Sequence, residues 1–368
     1  MALCLGLLLA VGCCWQWVAG RALALDRTDA FATTFKEGCQ DQVVDCIDRA
    51  TDNGCLYNSF YMRSFCPATC ATCGNHGSVQ VRHKGHATTE GTMAFAALMK
   101  SQYALPEGHL KTLKMQPQDE LLHISGMGMG TYLGEPDALT DEAVIAALLY
   151  TVTHGWNVVD TASNYRWGHG EKSCGVALQA LLAGDVQASF KHRVQTRVNV
   201  GGSAADPLAA ERLAAAAGRS QQKGGDITRD MLFIATKAGF TDPQLTAKLI
   251  QAGVMSAADI LEGIHSLAPA YIKASLEESL TRLHLEMVDV LYLHNAAEVQ
   301  LPVLGRDRFL VQLKNAFATC EQLRLEGKLV YYGLATWEAL RHTPTHPFYL
   351  SLEDVVRVAV EAGGKHHG

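Results

Sequence analysis

Beyond residue 120 the chain alternates short apolar runs with stretches whose apolar residues recur at helical spacing. That alternation constrains the fold more than any other feature, because it is the pattern of βαβ units around a parallel sheet. Five runs can be counted: LLHISGMGMGTYLG (121–134), NVVDTA (157–162), MLFIATKAGF (231–240), VDVLYLHN (288–295) and LVYYGLATW (329–337). Helical stretches separate them. TDEAVIAALLYTVTHGW (140–156) has Thr140 as its expected N-cap and Gly155 as its stop. EKSCGVALQALLAG, YIKASLEESLTRL and FLVQLKNAFATCEQLRLEGK follow in turn. A last helix, SLEDVVRVAVEAGG, is expected to be capped by Ser351.

The runs end on polar residues: Asp160, Lys237 and His294, with Thr336 near the end of the fifth. In a parallel β/α architecture the carboxyl ends of the strands form one face, and the loops there build the site. Placing a carboxylate, an ammonium and an imidazole beside apolar runs costs several kcal/mol, about that of any unpaired buried charge, unless they pair. Tyr165, five residues after Asp160, can curl back over the same face. A lysine beside that phenol should favour phenolate and lower its pKa, while Asp160 keeps the lysine charged and in place. His294 can offer a second hydrogen bond to the same substrate oxygen. Together these groups suit proton donation to a carbonyl oxygen as a hydride reaches its carbon.

GMGTYLG, DTASNY, FIATKAGF, SLEESLTRLHLEMVDVLYLHN and KLVYYGLATW, in this order and spacing, resemble the aldo-keto reductases over residues 121–367. The resemblance implies an α/β fold of the TIM-like (β/α)8 barrel type and NADP as cofactor. It also implies Tyr165 as general acid, Lys237 and Asp160 as its tuning pair, His294 as the carbonyl-orienting donor, and Gly130, Thr131, Asp160 and Thr336 at the cofactor. The spacing of GMGMG (126–130) does not make a dinucleotide-binding loop of the Rossmann kind.

Three departures stand out. The family follows its fifth strand with Ser-Asn, whose side chains hold the nicotinamide carboxamide, and here Ala335 and Thr336 stand there. The loop YRWGHGEKSCG is longer than usual and leaves the part played by Glu171 open. Only one helix's worth of sequence follows GLATW, so five of eight strands are expected, with open edges at the first and fifth. Very weak cofactor binding and low turnover are expected from such a barrel. The Ala-rich segment 198–225 reads as a surface excursion.

The N-terminal part is a different kind of chain. Six of the 11 cysteines, Cys39, Cys46, Cys55, Cys66, Cys70 and Cys73, crowd into a segment too short for a core of its own. Read as a disulfide framework, their spacing leaves about fifteen pairings open. The ending C-x10-C-x3-C-x2-C resembles the ShKT domain, named after a sea-anemone potassium-channel toxin. That resemblance implies the pairs Cys39–Cys73, Cys46–Cys66 and Cys55–Cys70. Phe60 and Tyr61 occupy the positions of the toxin's channel-plugging Lys and Tyr, so without the cation a role in protein interaction or tethering is the expectation.

Residues 1–24, apolar as far as Arg21 and ending in small residues, read as a secretory signal peptide, with an uncleaved membrane anchor as the alternative. The rest of the chain would then enter an oxidising compartment and be secreted or held in the secretory lumen. Residues 36–74 form the ShKT-like domain, 75–120 a Gly-, His- and Thr-rich linker, and 121–368 the partial barrel. His83 and His86 in the linker read as solvated side chains, so no metal is expected. Cys174 and Cys320 read as core thiols.

A net charge of -6 argues against a polyanionic partner such as nucleic acid. Two functions fit: an NADP-dependent oxidoreductase reducing an aldehyde, ketone or sugar to an alcohol, or a noncatalytic scaffold whose ShKT module binds a protein partner.

Overall fold

The computed structural model describes residues 82–115, 119–184, 186 and 227–363. Residues 1–24, expected to be a signal peptide, the six-cysteine cluster with its three implied disulfides and the 198–225 segment lie outside the described residues.

The chain enters with helix α1 (Thr89–Gln102), whose N-cap Thr88 accepts the Gly91 amide at 3.0 Å. An antiparallel hairpin follows, β1 (Leu110–Met115) with β2 (Glu120–Ser125). This corrects the linker expectation for 75–120, as far as it is described. Phe95, Ala96 and Met99 give α1 a buried face, while β1 takes its stability from pairing with β2 and not from its own periodicity. It also corrects the first strand. Residues 120–125 belong to the hairpin, and the parallel sheet begins at the two-residue strand β3 (Met129–Gly130).

From there strand and helix alternate. Helix α2 (Ala138–Thr153) leads to β4 (Val158–Asp160), and a 3-10 turn (Tyr165–Gly168) leads into α3 (His169–Leu182). Strand β5 (Phe233–Ala238), α4 (Pro243–Gln251) and α5 (Pro269–Leu283) come next. The last elements are β6 (Val288–His294), α6 (Ala296–Leu304), α7 (Arg306–Leu325), β7 (Leu329–Ala335) and α8 (Leu352–Gly363). Strands β3 to β7 pair in chain order, every pair parallel, so five strands form one sheet whose first and last members do not meet. Asp137 caps α2 by accepting the Thr140 amide at 2.7 Å, so the cap lies three residues before Thr140, the expected position. A carboxylate at that site accepts an otherwise unpaired amide and favours the positive helix end.

The two faces of the sheet bury different sets. Val159, Ile234, Leu291 and Leu293 point outward into the large core shared with the helices. Val158, Phe233, Ala235 and Val290 point inward, where Leu122 and Ile124 of the hairpin cover them. Asn157 fastens the hairpin to the sheet. Its side-chain oxygen accepts the Ser125 amide at 2.9 Å, and its amide nitrogen donates to the carbonyls of His123 and Met231, both at 3.0 Å. Among the described residues, no helix is long and apolar enough to cross a membrane.

Candidate active site

Period-two geometry selects which strand residues face the interior. Asp160 lies two residues after Val158, Lys237 two after Ala235, and His294 two after Tyr292, and each of those predecessors belongs to the inner cluster. All three polar residues therefore project from the inner face at the carboxyl end of the sheet. Register steps them along the sheet: Asp160 pairs with Ala235, two residues before Lys237, and Lys237 pairs with Tyr292, two residues before His294.

The buried Lys237 ammonium donates to Asp160 Oδ1 at 2.8 Å, Asp160 Oδ2 at 2.7 Å and the Thr161 carbonyl at 2.9 Å. Its nitrogen lies 4.5 Å from the centre of the Tyr165 ring. That ring meets His294 edge-on at 5.8 Å and Tyr132 at 5.1 Å. The four residues expected to share a site are thus gathered at one strand mouth.

Two electrostatic effects compete at Tyr165. Burial raises the phenol's pKa above its ordinary value, and the Lys237 charge pulls it down only in part. The expected lowering is therefore reversed: the phenol is held protonated, because desolvation outweighs an ammonium that Asp160 already neutralises. Burial, with the like charge of Lys237 second, pushes His294 down to about 3, so its imidazole is neutral at pH 7. Its Nδ1 is buried without a hydrogen-bond partner.

Tyr165 owes its place to an unusual turn. Arg166 (φ 50, ψ 41) and Trp167 (φ 56, ψ 38) are both left-handed, and Gly168 continues at φ 89. Left-handed backbone costs a residue with a Cβ roughly 1–2 kcal/mol. Glu171 is fully buried in the helix that follows. It accepts the Thr236 hydroxyl at 2.6 Å and pairs with Arg282 at 3.1 Å, which ties α3 to β5 and α5 and leaves it no chemical part.

The expected cofactor contacts are only partly free. Gly130 is exposed, and a Cβ there would meet nothing within 4 Å, so its backbone is open to a ligand beside Asp160. Two expectations need correction. The Thr131 hydroxyl is buried and donates to Thr161 at 2.8 Å, since the strand end turns it into the protein. The Thr336 hydroxyl donates to Glu298, whose same carboxylate oxygen accepts the amides of Trp337, Glu338 and Ala339 at 2.8, 3.1 and 3.3 Å. That carboxylate fills the nest of amides after β7 and takes the hydroxyl with it.

Sequence reasoning missed several residues. His265, fully buried, donates from Nε2 to the His294 carbonyl at 2.8 Å and accepts the Gln300 amide at Nδ1 at 2.9 Å. Asn295, left-handed at φ 48, donates its backbone amide to the Ala335 carbonyl at 2.7 Å. Arg166 and Glu298 complete the set. None carries a spacing signal, because each acts through a partner distant in sequence.

The family model described as "Aldo/keto reductase family" matches residues 126–235 and 209–346, more than half the chain. The chain belongs to this family. A second family model, "ShK domain-like", matches residues 38–73. No curated protein matches. Among solved structures, a holo-form aldo-keto reductase from Bacillus halodurans is 23% identical over 63% of this chain and 52% of its own, with a TM-score of 0.35. A Klebsiella pneumoniae aldo/keto reductase in complex with NADP and acetate is 18% identical over 63% and 54%, with a TM-score of 0.34. A glycerol dehydrogenase from Gluconobacter oxydans is 16% identical over 70% and 53%, with a TM-score of 0.35. The chain thus spans little more than half the length of these structures.

Proposed function

We propose that the chain is an NADP-dependent oxidoreductase that reduces a small carbonyl compound, an aldehyde, ketone or sugar, to an alcohol. One observation carries this reading: a protonated phenol lies beside a neutral imidazole with a free ring nitrogen and an ammonium held by a carboxylate. The orphaned His294 Nδ1 and the open backbone at Gly130 fit a carbonyl and the nicotinamide end of the cofactor. NADPH, when bound, supplies the hydride.

The chain's own residues manage the proton. Neutral His294 donates a hydrogen bond to the carbonyl oxygen, and Tyr165 gives that oxygen its proton as negative charge grows there. The adjacent Lys237 charge stabilises the phenolate left behind, and Asp160 keeps the ammonium in place. Gly130 and Asp160 would line the nicotinamide side. Thr131 and Thr336 would contribute backbone alone, which weakens the grip on the carboxamide.

NADPH oxidation with a panel of aldehydes, run on the native chain and on Tyr165→Phe, tests the reading. Turnover lost in the variant supports it. Equal nonzero rates would take Tyr165 out of the chemistry.

A second reading rests on the ShK-like segment and the tied Thr336 hydroxyl: a scaffold whose disulfide module binds a protein partner. Quenching of intrinsic fluorescence by NADPH separates the two, since a scaffold shows none. The apolar residues 1–24 and the cysteine-rich segment support secretion or residence in the secretory lumen, or anchorage to the membrane if the segment is not cleaved.

A further inference from the structure

We propose that Arg166 is a positioning residue for Tyr165, its buried guanidinium clamping the left-handed turn that holds the phenol beside Lys237 and His294. The proposal rests on Tyr165 being the proton donor. Residues 166 to 168 are left-handed in succession, an arrangement that L-residues avoid unless the surroundings impose it. Packing of Trp167 does not impose it. Trp167 is 80% exposed, and Tyr165 is only partly buried.

Arg166 alone of these three side chains is inside, its side chain 1% exposed. Its guanidinium reaches three separate parts of the fold. It donates to Asp141 Oδ1 of α2 at 2.6 Å, to Ser173 Oγ of α3 at 2.9 Å, and to the Thr131 and Glu135 carbonyls after β3 at 3.4 Å each. The acceptors are themselves fixed. Asp141 Oδ2 bonds His169 Nδ1 at 2.8 Å, and Ser173 Oγ donates to Asp141 Oδ1 at 3.0 Å.

A planar fork spreads five donors over three nitrogens and can span all four of these acceptors, whereas a lysine has three donors on a single nitrogen and cannot reach them together. The bond network therefore fixes the backbone one residue after the phenol, and with it the ring that touches Tyr132 and His294. Neutralising Asp141 would need only a positive charge. Clamping the turn needs the fork.

Arg166→Lys keeps the charge, and Arg166→Gly keeps a residue at ease in left-handed backbone. The full chain and both variants are nitrated with tetranitromethane at pH 8, and the Tyr165 to Tyr132 ratio is read by peptide mass. Tyr132, half-exposed, serves as internal reference. The ratio is expected to rise about 10-fold in both variants, as the freed phenol meets water and returns toward its ordinary pKa. In the NADPH assay kcat is expected to fall about 10²-fold with the KM for NADPH unchanged, the signature of a displaced acid.

A ratio within about twofold of the native chain in Arg166→Lys overturns the clamp, whatever the activity. If Arg166→Gly fails to fold, Arg166→Lys decides alone. Should the native chain show no Tyr165-dependent turnover, the reductase reading fails and the nitration ratio still judges the clamp.

Discussion

Acid should unfold this protein well before its carboxylates titrate. Three buried histidines are held neutral: His294 at about 3, and His265 and His284 at about 4. Burial is the main cause at each. It is reinforced by Lys237 and then His265 at His294, and by His83 and then Arg82 at His284, while at His265 the bond to the His294 carbonyl and the Glu298 charge partly oppose it. Because each folded pKa lies below the unfolded value of about 6.5, the unfolded chain binds protons that the folded chain refuses. The contribution is complete above about pH 6.5 and is lost as pH falls toward the folded values. Between pH 7 and pH 5 each histidine gives up about 2 kcal/mol, and the three together about 6, against a total domain stability of about 5–15 kcal/mol. Urea unfolding of the native chain at pH 7, 6 and 5 should show this fall, and His284→Gln should remove about a third of it. An unfolding free energy at pH 5 within about 1 kcal/mol of that at pH 7 would refute the reasoning, since buried neutral imidazoles cannot leave stability indifferent to pH.

Two substitutions away from the site test the frame. Asp289 accepts the amides of Ile234 at 2.7 Å and Ala87 at 2.5 Å and pairs with Arg229 at 2.7 Å, all buried. Asp289→Ala, leaving the guanidinium unpaired, should cost about 3–5 kcal/mol by urea unfolding, and a loss under about 1 kcal/mol would show the site reaching water. At Gly175 an added Cβ would lie 2.0 Å from the Arg282 carbonyl oxygen, so α3 can approach α5 only without a side chain there. Gly175→Ala should cost about 3 kcal/mol or more in a thermal or urea melt, and an unchanged midpoint would mean that the two helices can slide apart.

Much of the site was legible because strand geometry is simple. An apolar run ending on Asp160, Lys237 or His294 puts that residue at a strand end, and period-two alternation puts all three on one face. The hairpin partner β1 was not legible, because Leu110–Met115 carries charged residues and gains its order from β2. Nor was the start of the sheet, where a two-residue strand such as Met129–Gly130 leaves no pattern to read. Thr131 and Thr336 were assigned to a ligand by analogy, and only the packing shows their hydroxyls taken by Thr161 and Glu298.

Local chemistry along the chain, namely apolar periodicity, caps and the residue types that close each strand, determined the architecture and the four groups that meet at its mouth. Three-dimensional packing decided the rest. It set the sign of the shift at Tyr165, because desolvation depends on what surrounds a phenol and not on which residues precede it. It also made Arg166 a clamp, because its acceptors, Asp141, Ser173 and the carbonyls of Thr131 and Glu135, come together only when the fold has closed around them.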